Sequence, residues 1–98
     1  MSRVFFTAAA RSDLEGALAW YNAQAPEIVP RFREALRVAV SRLGENPKQF
    51  PSSSHRTRRA LLRHFPYLLI FRETRAAVYV VAVFHTSRDP KVWQNRTS

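Results

Sequence analysis

His85, Arg88, Asp89 and Trp93 stand within nine residues, in "FHTSRDPKVW" (84–93), where the last apolar run of the chain ends. Imidazole titrates near neutral pH, so His85 is a candidate general acid or base, or a donor to phosphate. A strand-terminal histidine bonded to a loop is the other reading. Arg88 and Asp89 can pair across a turn. Asp89 followed by Pro90 has the order of a helix N-cap and first helical residue, which gives Asp89 a local duty and leaves Arg88 without one. Trp93 either stacks on a base or anchors a short terminal helix on a sheet face. A second set lies upstream, where Arg56, Arg58, Arg59 and Arg63 fall within eight positions beside His55 and His64. Arginine forks suit phosphate or carboxylate; charge on an edge strand also blocks edge pairing. If 59–65 is one strand, Arg59, Leu61, Arg63 and Phe65 share a face, and Ala60, Leu62 and His64 share the other.

Other chemistries are excluded. There is no cysteine, hence no disulfide, thiolate nucleophile or Cys-ligated zinc. The three histidines show no His-x-His or Glu-x-x-His spacing, so no metal site is expected. No glycine-rich phosphate loop, Ser-His-Asp order or paired-carboxylate site occurs, and no cofactor is expected.

Charge sharpens the picture. Sixteen basic residues, fourteen of them arginine, face seven acids, for a net charge of +9. Residues 1–53 carry seven basic and five acidic groups, whereas residues 54–98 carry nine and two. Such a cationic half attracts a polyanion or an acidic protein, with affinity that falls as salt rises. Arginine suits that contact because it stays charged when partly desolvated.

The elements that must position these residues follow from periodicity. Ninety-eight residues give one domain, 1–98. "RVFF" (3–6) reads as a first strand. Leu14, Ala17, Leu18 and Tyr21 lie on one helical face, which predicts a helix over 8–24, capped by Thr7 or Ser12 and stopped by Pro26. Val29, Phe32, Leu36, Ala39, Val40 and Leu43 form the stripe of a second helix, closed by Gly44 and Pro47. "ENPKQFPSSSHRTR" (45–58) is a surface loop. "RALLRHF", "YLLIFRE" and "AVYVVAVFH" read as three strands of an antiparallel meander, the last one central and covered on both faces. "PKVWQNR" is a short terminal helix. The fold class is α+β: an N-terminal strand and an antiparallel helical hairpin packed on a small, mostly antiparallel sheet, β-α-α-β-β-β plus a C-terminal helix. The helices cover one sheet face, so function is expected on the other. The short apolar start "MSRVFFTAAARS" is no signal peptide, and no apolar run reaches membrane-spanning length. Together with the missing cysteine, this suits a cytoplasmic protein and no membrane partner.

Three features in order carry a resemblance: Asp13-Leu14 in "ARSDLEGALAWY", Phe65-Pro66-Tyr67 opening "FPYLLIFRE", and His85-x-x-Arg88-Asp89-Pro90-x-x-Trp93 at the end. Over residues 3–96 the chain resembles the RelE/ParE superfamily of toxins from type II toxin–antitoxin modules. The resemblance implies a plasmid-stabilisation-type toxin and a cognate antitoxin with an acidic or amphipathic C-terminal segment. Two branches are open. RelE-like members cut mRNA on the ribosome; there His85, Arg88 and Arg63 or Arg59 would supply the proton-transfer and phosphate groups. ParE-like members bind DNA gyrase without cutting RNA. Leu68, Ser87 and Trp93 stand where the nuclease branch places two arginines and a tyrosine, which points to the ParE-like branch. The surface expected to bind antitoxin or target comprises Arg56, Arg58, Arg59, Arg63, Arg72, His85, Arg88, Trp93 and Arg96. A non-toxic binding member of such a complex is the third reading.

Overall fold

Thr7 ends the first strand by starting a helix. In the computed structural model, which describes residues 1–96, β1 (Arg3–Phe6) runs to Thr7, whose hydroxyl accepts the Ala10 N–H at 3.2 Å. Helix α1 (Ala8–Gln24) follows, an alanine-rich segment of high helix propensity. Its inward stripe is Ala10, Leu14, Ala17, Leu18 and Tyr21. Pro26 ends it, and a 3-10 turn (Pro26–Ile28) leads into α2 (Val29–Glu45). That helix buries Phe32, Ala39 and Leu43 and turns its arginines outward.

The sheet has the order β1-β4-β3-β2, with β2 (Arg58–Leu61), β3 (Tyr67–Glu73) and β4 (Ala77–His85) antiparallel in sequence and β1 parallel to β4. β4 lies between β1 and β3, which explains its nearly unbroken apolar run. Helix α3 (Lys91–Gln94) closes the described chain. Asp89 accepts the Lys91 N–H at 3.0 Å, but the residue flanking the helix is Pro90, one place later than expected, and it makes no side-chain cap bond.

One residue sets which side chains face which way. Ile70 pairs with Ala82 but Phe71 pairs with Val80, so Val81 is passed over as a β-bulge. Before the bulge Val78 and Val80 face the helices; after it Val83 does, and Ala82 and Phe84 face away. Two cores result. The larger lies under the helices and includes Phe32, Leu43, Leu62, Leu69, Phe71, Val78 and Val80. The smaller lies on the opposite face, where Ile70, Ala82 and Phe84 are covered by Trp93. Trp93 is 3% exposed, so it is the anchor of the terminal helix.

Two expectations need correction. The second strand does not extend over 59–65; it stops at Leu61. Phe65 is drawn into an aromatic cluster with Tyr21 and Phe32, at centroid distances of 5.7 and 5.2 Å, and His64 takes a positive φ of 68° to allow the turn. The hairpin closes from Leu62 N–H to the Tyr67 carbonyl, so Arg63 and Phe65 do not share a strand face with Arg59. Gly44, for its part, does not end α2 with a left-handed residue: the helix continues through Glu45, and no glycine has positive φ. A β-carbon there would come within 3.0 Å of the Ser2 carbonyl oxygen, so glycine is needed for the close approach of the chain start to the helix.

Candidate functional site

A concavity of about 780 Å³ forms a groove between α1 and the C-terminal half of β4. It exists because β1 is short. β1 pairs with β4 only as far as Phe6 opposite Val80, and the edge of β4 beyond that point would be bare. Asp13 of α1 covers part of it by accepting the Val83 N–H at 3.0 Å. Arg96 completes the closure: it pairs with Asp13 at 2.7 Å and donates to the Val81 carbonyl at 3.0 Å. Hydrogen bonding to Asp13 raises the Arg96 pKa, and burial opposes that rise. A helix and the chain end are thus fastened to the bulged strand through one carboxylate.

Above this closure the groove is lined by Gly16, Ala17, Trp20 and Tyr21 on the helix side, and by Tyr67, His85 and Arg88 on the sheet side. Asp13, Gly16, Ala17 and Trp20 follow i, i+3, i+4, i+7 spacing, so they form one stripe along α1. The two small residues leave space, and Trp20 projects into it, 58% exposed. Burial pushes the Tyr67 phenol above its ordinary pKa; nearby Tyr21 adds to the rise and Arg88 opposes it. Tyr21 is also raised by burial. Both phenols are therefore kept protonated.

His85 lies in this groove, on the helix side of the sheet, because the bulge reversed the alternation. Its ring meets Tyr67 edge-on at 5.1 Å. Its Nδ1 accepts the Ser87 N–H at 3.1 Å and lies 2.7 Å from the Ser87 hydroxyl. That arrangement leaves the proton of a neutral ring on Nε2, where it donates rather than accepts. The expectation that function gathers on the open face misplaces His85: Trp93 is on the opposite face.

The remaining arginines separate into distinct places. Arg58 donates to the Phe50 carbonyl at 2.7 Å, Arg59 to Ser52 at 3.0 Å and Arg72 to His55 at 3.2 Å. Three guanidinium groups thereby clip the 50–55 loop to the sheet through backbone carbonyls. Arg56 stands exposed on the same loop, where His55 and Arg56 both take φ of 59°. Arg63 is exposed in the β2–β3 turn. Trp93 and Arg96 hold the terminal segment, and Trp93 also meets the His55 ring at 6.5 Å. The nine expected binding residues thus divide into the loop clip, the groove and the tail anchor, with Arg63 apart. Trp20 and Asp13 were missed as groove residues, although the i, i+3, i+4, i+7 stripe was there to be read.

Among the described residues no group of three His, Cys, Asp or Glu side chains could hold a metal, and no helix is long and apolar enough to cross a membrane.

A strand, a helical hairpin and a four-stranded mixed sheet closed by a short helix define a small α+β toxin fold. The chain belongs to the family of ParE toxins of type II toxin–antitoxin systems, parDE, whose family model matches residues 4–90. Among solved structures it is similar to a chain of the chromosomal ParDE toxin–antitoxin system from P. aeruginosa, with a TM-score of 0.76 and 20% identity over 89% of this chain and 98% of that one. No curated protein gives a significant match to the sequence.

Proposed function

We propose that this ParE-family toxin arrests growth in the cytoplasm by binding DNA gyrase, without cutting RNA, and that a cognate antitoxin neutralises it. The observation that carries this reading is the state of the positions a nuclease would use. Leu68 and Trp93 pack into the smaller core beneath α3, and His85 lies on the other side of the sheet with Nδ1 engaged by Ser87. Cleavage through a ribose 2′-hydroxyl needs a base, a cation at the phosphate and an acid for the leaving oxygen, all around one phosphorus. His85 and Arg88 share the groove with Tyr67, but Arg59 and Arg63, the other arginines that would grip the phosphate, stand outside it. Cationic surface and a groove remain, which suit gripping a macromolecule.

The antitoxin reading adds an occupant for that groove. Its apolar and aromatic walls fit the apolar side of an amphipathic segment, and Arg88 at its rim suits an acidic neighbour. A segment disordered when free would order on contact. Such a module stabilises a plasmid because the antitoxin must be continually present.

The deciding experiment incubates the purified protein with gyrase and supercoiled DNA, and separately with translating ribosomes. Accumulation of gyrase-cleaved DNA with intact mRNA supports the proposal. Cleaved mRNA with unaffected gyrase overturns it in favour of the ribosome-dependent nuclease, and His85→Ala then tests the acid–base role. Absence of growth arrest on expression would leave only the non-toxic binding member.

A further inference from the structure

We propose that the sheet face turned away from the helices carries a binding strip for single-stranded nucleic acid, centred on Phe5 and Tyr79 and flanked by Arg3 and Arg72. The strip lies across three neighbouring strands, since Phe5 of β1 is in register with Tyr79 of β4, and Tyr79 with Arg72 of β3. Val4, Phe6, Val78 and Val80 pack under the helices, so their neighbours Phe5 and Tyr79 face the other way. The two rings stack on one another, their centroids 5.6 Å apart and their planes 24° from parallel. Both remain exposed, at 41% and 38%, although a small sheet would ordinarily bury such rings. The Arg3 guanidinium stands 5.7 Å from the Phe5 ring centroid, and on the far side Arg72 is fixed by its bond to the His55 carbonyl. Arg56 continues the positive charge, while Glu73 is a carboxylate close by.

Flat exposed rings between guanidinium groups match an alternation of bases and phosphates. Stacking on aromatic rings tolerates any base, and arginine holds the backbone. A duplex offers phosphates but hides its base faces, so it gains only the electrostatic part. An acidic peptide likewise uses the arginines and has no need of the rings. Single strands are therefore the occupant this chemistry favours. The strip is on the opposite sheet face from the α1–β4 groove and independent of whether gyrase is the target.

The test titrates the full chain into a labelled single-stranded oligonucleotide of about 20 nucleotides, long enough for one site, and into the matching duplex, across a salt series. Fluorescence anisotropy reads both. Tyr79→Ala should weaken single-strand binding by about tenfold and leave duplex binding and the salt slope unchanged. Tyr79→Thr, a good strand former without a ring, should do the same and separates loss of stacking from loss of fold. Arg3→Gln should reduce the salt slope by about one. Equal affinity of the native chain for single strand and duplex, single-strand binding untouched by both Tyr79 substitutions, or displacement of the oligonucleotide by an equal charge of polyglutamate would each overturn the proposal.

Discussion

The two faces of one sheet are held in different ways. Under the helices, long side chains from five elements interlock, and Tyr21, Phe32, Phe65 and Tyr67 form a ring cluster with centroids 5.2–6.3 Å apart. On the opposite face a patch of Ile70, Ala82 and Phe84 depends on one tryptophan from the chain end. The comparison teaches where this protein keeps its stability and where it keeps adjustable surface. A domain of this size stands only about 5–15 kcal/mol above unfolding, so global stability must come from the helix face, and the tail face is free to loosen without loss of the fold.

Phe32→Ala should show the largest effect, a loss of about 4 kcal/mol in urea denaturation, because it empties a fully buried site at the centre of the ring cluster. Trp93→Ala should cost about 3 kcal/mol at most, and its signature should be local. Hydrogen exchange should quicken in α3 and at the 54–55 loop, where Gln94 bonds Ser54, while β3 and β4 stay protected. If Trp93→Ala exposes the whole sheet equally, the two faces are one cooperative unit and the comparison breaks.

Asp13→Ala should cost about 2 kcal/mol, since it strands the Val83 N–H and takes from Arg96 its carboxylate partner, leaving only the Val81 carbonyl. Arg96→Ala should cost less, as Asp13 keeps its bond to Val83. A double-mutant cycle should return a coupling of about 1 kcal/mol; strictly additive losses would show that the pair does not link the faces. The smallest effect is alkaline. Burial keeps the Tyr21 and Tyr67 phenols protonated in the folded chain to a higher pH than in the unfolded one. Their contribution is complete below about pH 10, the ordinary phenol value, and declines as pH rises through the raised values. Tyr67→Phe should flatten that decline in melting temperature measured between pH 9 and 11, roughly one unit either side of the ordinary phenol value.

Much of the fold is legible in the residues. β1, α1, β3 and β4 occupy 3–6, 8–24, 67–73 and 77–85, the spans that their periodicities predict. These segments are long, strongly patterned or bounded by proline and threonine, so local preference and tertiary packing agree. β2 was read too long because "RALLRHF" keeps strand composition through its turn, and only the pull of the ring cluster on Phe65 reveals where it stops. The site was less legible for a different reason. An uninterrupted apolar run such as "AVYVVAVFH" conceals a bulge, since every position looks suited to either side, and so the face of His85 could not be read. The partnership of Asp13 with Val83 and Arg96 joins residues separated by 70 and 83 positions, which no local spacing encodes. The arginines were visible at once, whereas their attachment to the carbonyls of the 50–55 loop was not.

The single unpaired valine of the last strand has a further consequence for how such chains are compared. Past Val81, odd and even numbers exchange sides. Two homologous strands of unequal length by one residue would present opposite chemistry to the same partner while looking nearly identical on paper. Roles carried along this strand from a relative must therefore be counted from the hydrogen-bonded pairs on either side of Val81, and not from the printed order of letters.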